Sequence, residues 1–161
     1  MEHSRGYRVV DRIAELRFQS EAWAAVEPEI REIVPEHWQG LAVFKDQIPL
    51  EPNWDFYRTS EGLHIVTART PSGSLAGYYI SLIFPHPHYK STLFNFLDSY
   101  YIKPEYRNAR TGMLFFNAVE AEMRARHVRC MIATTKAHLD VGPVFERLGW
   151  MLVGKTYSKL L

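Results

Sequence analysis

Cysteine is almost missing from this chain: Cys130 stands alone among 161 residues. A single thiol excludes an internal disulfide and any cysteine-rich zinc site. It fits a reducing compartment, so the expected location is the cytoplasm. Within the apolar run that starts at position 130, Cys130 reads as a small core residue and not as a nucleophile. Long hydrophobic runs are missing too. No stretch approaches the ~18 consecutive apolar residues that span a bilayer, so no membrane association is expected. The opening Met1-Glu-His-Ser-Arg-Gly lacks a hydrophobic region, so no signal peptide is expected. Net charge is small: 19 Lys and Arg against 18 Asp and Glu leave +1. That balance argues against bulk nucleic acid or an anionic membrane surface as a partner. Repeats, low-complexity tracts and linkers are also lacking, and residues 1–161 read as one domain.

What the chain has is aromatic side chains, 14% of the total, which points to an aromatic core or pocket. Residues 7–18 are ambiguous: Tyr7 to Val10 suit a strand, and Ile13, Leu16 and Phe18 suit either a strand or a short helix. Residues 20–34 read as a helix capped by Ser20, with Trp23, Val26, Ile30 and Ile33 on one stripe and a kink or break at Pro28. Pro35 opens a second helix to about Phe44, and Pro52 starts a third through Arg58. Three strands follow, at 64–69, 75–84 and 93–102. The turn Thr70-Pro-Ser-Gly-Ser joins the first two and Pro85-His-Pro-His-Tyr the next. A helix spans about Thr111 to Arg126, with Met113, Phe116, Ala118 and Val119 near one face. A strand at 130–134 comes next, then a helix from about Leu139 to Leu148 with Gly149 as C-cap. Trp150–Gly154 and Thr156–Leu160 close the chain as a strand pair. This order suits a mixed α/β sheet with helices on both faces.

The segment from Asp98 to Phe116 organises the rest. A strand ends at Ile102. After Pro104-Glu-Tyr-Arg107, a short basic turn Asn108-Ala-Arg-Thr-Gly112 opens a helix. Unpaired amides and the aligned peptide dipoles at such a helix start favour a phosphate. This stretch resembles the pyrophosphate-binding turn of the GNAT N-acetyltransferase superfamily, and the element order from about residue 60 onward is similar to that family's. Arg110 stands where the family has its first glycine. It either adds a cation beside the phosphates or weakens the turn. The segments His138–Trp150, Tyr157–Leu161, Pro85–Tyr89 and Ile48–Leu50 also look like an uncharacterised GNAT subgroup encoded by bacteriophages and prophages, which implies action in a bacterial cytoplasm.

The resemblance implies a GNAT-like, mostly antiparallel sheet flanked by helices, and acetyl-CoA as acyl donor to an unspecified amine. The cofactor would be held by Arg107, Asn108, Ala109, Arg110, Thr111, Gly112 and Met113. The backbone of Tyr101 and Ile102 would pair with its pantetheine arm. Asp98 lies near the position of the family's base, as base or as an anchor for the substrate ammonium. His86 and His88 flank Pro87 in a turn that borders the acceptor pocket in this family. His88 is the second candidate for the amine proton, against a plain solvated turn. No metal is expected there, since no cysteine or carboxylate accompanies the pair at ligand spacing. The family's tyrosine acid is replaced by Phe145, leaving His138 and Tyr157 as candidate acids, against a helix cap and a packed strand residue. Trp23, Trp38, Trp54, Phe56 and Tyr57 fall where the family shapes its acceptor site, or belong to the core. A homodimer is compatible with this picture. A protein-binding or CoA-sensing module without turnover is the alternative reading.

Overall fold

A computed structural model describes residues 16–161. The readings at Tyr7–Val10 and Ile13 lie outside the described residues. The chain forms β1 (Arg17–Ser20), α1 (Trp23–Leu41), α2 (Trp54–Thr59), β2 (Leu63–Arg69), β3 (Leu75–His86), β4 (Tyr89–Ile102), α3 (Ala109–Ala125), β5 (Cys130–Ile132) and α4 (Gly142–Arg147), with a 3₁₀ turn at Pro104–Tyr106. Among the described residues, five strands lie in sequence order in one sheet. β1 to β4 are antiparallel, and β5 joins β4 in parallel. The expected mixed α/β fold with helices on both faces is what forms.

Strand alternation sends consecutive residues to opposite faces. Ile65 and Val66 thus belong to separate cores, as do Tyr78 and Tyr79. One core lies under α1 and includes Trp23, Val26, Ile30 and Ile33. The other lies under α3 and α4 and includes Phe115, Phe116, Val119 and Phe145. Tyr79 spans the second core and donates its OH to Asn95 Oδ1 at 2.6 Å. The Asn95 amide in turn donates to Ser81 Oγ at 2.7 Å, which satisfies polar atoms that are wholly buried.

Several expectations need correction. α1 is one helix, with Pro28 and Pro35 both inside it. Each proline removes one backbone donor, at a cost of about 3 kcal/mol in a helix interior. The unbroken stripe of Trp23, Val26, Ile30, Ile33 and His37, all buried, offsets that loss across both. Ser20 ends β1 and Ala22 takes the N-cap position. α3 starts two residues before Thr111, because Asn108 caps it by accepting the Thr111 N–H at 2.9 Å. Cys130 is exposed, not core. β5 has only three residues and a partner on one side, so it does not bury its first side chain. Residues 151–161 form no strand pair and are exposed throughout; so short a neighbour offers no edge to extend.

Fixed turns hold the meander. Gly73 has φ +87°, which a side chain disfavours, and its N–H donates to Thr70 O at 2.9 Å. The Arg69 guanidinium ties that hairpin to the start of α1. It bonds Glu21 Oε1 at 2.8 Å and Oε2 at 3.0 Å, Glu29 Oε1 at 2.6 Å and Gly73 O at 3.1 Å.

Candidate active site

The site is built along β4. From Leu93 to Leu97 each residue of β4 faces one of β3 in steady register, but Ser81 opposes Leu97 while Ile80 opposes Ser99. Asp98 is the extra residue of a β-bulge, which bends a strand and re-aims its side chains. Asp98 and Ser99 therefore line the same cleft although they are neighbours in a strand. The bend also limits the contact with β5, which pairs only with Phe94, Phe96 and the residue between. Among the described residues, no strand lies beside that edge of β4 from Leu97 to Ile102.

A cleft of about 450 Å³ opens along this free edge. Tyr100, Tyr101 and Ile102 form one wall, the start of α3 forms its end, and Gly40 and Leu41 close it from α1. Asn108 occupies the Thr111 amide through its side chain and the Gly112 amide through its carbonyl, at 2.9 and 3.1 Å. Among the described residues, the amides of Ala109 and Arg110 have no such partner. A Cβ added at Gly112 would meet only Val144 Cγ1, at 3.8 Å. No protein atom there demands a glycine, and the space is left to the cleft. Free amides at the start of a 17-residue helix fit the diphosphate of a coenzyme A thioester.

Of the residues assigned to this turn, Arg107, Asn108, Ala109 and Gly112 line the cleft. Arg110 is exposed, Thr111 buried and Met113 half-buried, and none of the three lines it. The arginine in place of glycine does not plug the cleft. Arg107 is braced: its Nε donates to Ile102 O at 2.6 Å, and its guanidinium lies 5.0 Å from the Tyr101 ring centre.

A second cleft, of about 670 Å³, adjoins the first, and His37 and Leu41 line both. Its walls include Trp23, Trp38, Trp54 and Tyr57, with Tyr78 and Asp98 also lining it. Trp23 stacks on Tyr57 at 4.9 Å between ring centres. The Tyr57 hydroxyl donates to Asp98 Oδ2 at 3.0 Å. Asp98 keeps contact with solvent, yet the surrounding side chains displace enough water to raise its pKa. The Tyr57 hydrogen bond opposes that rise. A carboxylate so placed is a better proton acceptor than an ordinary aspartate.

His37 was not singled out in the sequence. Its Nδ1 shares a 2.6 Å hydrogen bond with the Tyr78 hydroxyl. Burial, reinforced by Arg107 and opposed by Glu36, lowers its pKa to about 4, so the ring is neutral at physiological pH. The signal was present: His37 continues the buried stripe four residues after Ile33, but Pro35 read as a helix boundary. Glu36, beside it, accepts the Tyr101 hydroxyl proton at 2.7 Å.

The other candidates are placed apart from these clefts. His88 meets His86 edge-on, with ring centres 5.1 Å apart, in the β3–β4 turn; it lines neither cleft, and its backbone N–H donates to His86 Nδ1 at 3.1 Å. His138 Nε2–H donates to Gly40 O at 3.1 Å, clamping the loop before α4 to the end of α1. Tyr157 is exposed, although its neighbour Ser158 reaches the second cleft. Phe145 is buried between Phe116 and Trp150, with ring centres 4.9 Å from each. Among the described residues, no group of three or more His, Cys, Asp or Glu is placed to hold a metal ion. No helix among them is long and apolar enough to cross a membrane.

Comparison with known proteins agrees with this architecture. No curated protein matches the chain by sequence. The fold is similar to that of a ribosomal-protein-alanine N-acetyltransferase from Brucella melitensis biovar Abortus 2308, with TM-score 0.70 and 13% identity over 91% of this chain and 97% of that one. It is also similar to aminoglycoside acetyltransferase meta-AAC0020 from an uncultured soil metagenomic sample, with TM-score 0.67 and 10% identity over 92% and 98%. Aminoglycoside N-acetyltransferase AAC(6')-Iy, solved in complex with CoA, gives TM-score 0.62 and 15% identity over 90% and 100%. Identities this low speak to the fold alone. The model of the acetyltransferase (GNAT) family matches residues 23–150, most of the chain, and the protein belongs to that family.

Proposed function

We propose that the protein is a single-domain N-acetyltransferase that takes the acetyl group of acetyl-CoA and passes it directly to a primary amine. One observation carries this reading. Five consecutive residues of β4 run from the carboxylate cleft, at Asp98 and Ser99, into the cleft that ends at the α3 amides, at Tyr100 to Ile102. A donor held along the second part presents its thioester to an amine held at the first. Both reactants are then fixed on one rigid strand, which lowers the entropic part of the barrier.

The bound thioester supplies the activated acyl carbon. Asp98 takes a proton from the substrate ammonium, and Tyr57 holds that carboxylate in place. The freed nitrogen lone pair forms the N–C bond as the C–S bond breaks, and the thiolate leaves with the electron pair. The nitrogen's remaining surplus proton passes to solvent, from which the thiolate is protonated. The α3 amides and Arg107 bind and orient the donor. The resemblance to phage and prophage proteins supports a bacterial cytoplasm as the setting.

Calorimetric titration with CoA, alongside release of free thiol from acetyl-CoA in the presence of amines, tests the reading. Arg107→Ala is expected to weaken CoA binding about tenfold, or ~1.4 kcal/mol. Asp98→Asn is expected to lower kcat with the CoA affinity unchanged. A wild-type protein that does not bind CoA at millimolar concentration would remove the proposal. The burial of Phe145, which leaves no hydroxyl at the family's acid position, favours a second reading: a CoA-binding module without turnover. CoA binding with no product from any amine would select it.

A further inference from the structure

The acceptor cleft has a chemical character of its own. Trp23, Trp38, Trp54 and Tyr57 contribute aromatic surface, and Ile30 and Ile80 add aliphatic surface. The walls are fixed and not loose. Trp23 is stacked against both Trp54, at 6.1 Å, and Tyr57, at 4.9 Å. The Arg31 guanidinium lies 4.5 Å from the Trp54 ring centre, and Glu27 holds that arginine through its Nε at 2.8 Å. Charge in the cleft is sparse. Its carboxylates are Asp98 and Glu51, and Lys136 is set against them. Asp98 is the one in contact with the aromatic wall, through Tyr57.

From this we infer that the acceptor is an apolar amine with one positive charge, built as a ring-sized hydrophobic body on a short chain that ends in a primary ammonium. The inference rests on the transferase reading for the reaction, but not for the binding. A volume of about 670 Å³ holds a body of one or two rings. Flat apolar walls gain from burying such a body, and the ring faces attract a desolvated ammonium. Asp98 neutralises a single ammonium and receives its proton. A polyamine or an aminoglycoside brings several ammonium groups. In this cleft most of them would lose water against indole and aliphatic surface without a counter-charge, which is costly. That chemistry discriminates against polycations as strongly as it selects the apolar monoamine.

The test separates amine binding from turnover. Three of the four tryptophans line the cleft, so intrinsic fluorescence reports occupancy in the full chain without any donor. Phenethylamine is expected to bind at least about tenfold more tightly than spermidine or a lysine-terminated peptide. Phenethyl alcohol, its uncharged analogue, is expected to bind about tenfold more weakly than the amine. Asp98→Asn should erase the difference between amine and alcohol, while Trp54→Ala should weaken both. Circular dichroism confirms that the variants fold. Tighter binding of spermidine or the peptide, or no response to phenethylamine at 10 mM (roughly the millimolar limit of weak binding), would overturn the inference. Tight phenethylamine binding without CoA binding would support the inference on the cleft and defeat the transferase reading.

Discussion

Two buried histidines make the folded state sensitive to mild acid. His37 and His64 are 8% and 5% exposed, and burial lowers the pKa of each from 6.5 to about 4. Arg107 adds to that effect at His37 and Arg126 at His64, while Glu36 and Glu122 oppose it. In the unfolded chain both rings titrate near 6.5. Between that value and about 4 the unfolded state therefore binds protons that the folded state refuses. Stability must rise with pH across this window and fall as the solution is acidified through it. At pH 5 each ring is expected to cost about 2 kcal/mol relative to pH 7.5, and the pair about 4 kcal/mol. Such a loss is a large part of the stability of an ordinary domain. Urea unfolding at half-unit steps from pH 7.5 to 5 measures it. His37→Gln keeps a polar partner for Tyr78 and removes one titration, so the slope should halve. Glu21, whose pKa is lowered by Arg69, acts only below the ordinary carboxylate range and leaves this window clear. A wild-type stability that is flat to within about 0.5 kcal/mol over the window, or a slope unchanged in the variant, would refute the reasoning.

Two further substitutions have defined outcomes. Arg69→Met leaves Glu21 and Glu29 without their shared cation at the foot of α1, and a loss of about 3 kcal/mol is expected in urea unfolding at pH 7. The same variant should lose the pH dependence of stability below 4.5 that comes from the lowered Glu21 pKa, because that contribution is full above the unfolded value and vanishes as pH falls through the folded one. Gly77→Ala places a Cβ 2.6 Å from Tyr101 O and 3.2 Å from Ile102 Cα. Backbone cannot yield there without shifting β4, so a drop of at least about 2 kcal/mol is expected, together with weakened CoA binding.

The strands β2, β3 and β4 and the helix α3 were legible because their periodicities are strong and their turns carry Pro, Gly and Asn. The helix start after Arg107 was readable from the same local chemistry, to within two residues. Features that depend on distant partners were not legible. The two prolines of α1 carry a local breaking signal, and only the sheet beneath them shows why the helix continues. The terminal segment Met151 to Leu161 has apolar, strand-like content. It stays unpaired because β5 stops after three residues, which no local pattern reveals. The bond from Tyr57 to Asp98 spans 41 positions, so the aromatic region could be noted without the hydroxyl that joins it to Asp98. His37 was hidden by the break assigned at Pro35.

The extra residue in β4 ties the bend of the scaffold to the placement of a carboxylate. A regular strand would send Leu97 and Ser99 the same way, with Tyr100 opposed to both, yet Leu97 and Tyr100 face the same core while Tyr101 faces the other. Removing Asp98 would restore the plain alternation and leave Tyr100 and Tyr101 on their present sides, because Ser99 alone would then stand between Leu97 and Tyr100. Both tyrosines would keep their hydrophobic seats, while the carboxylate beside Tyr57 and the bend in β4 would be lost together. A side-chain swap at position 98 thus keeps the bend, whereas one backbone unit fewer would remove the bend and the carboxylate in a single step.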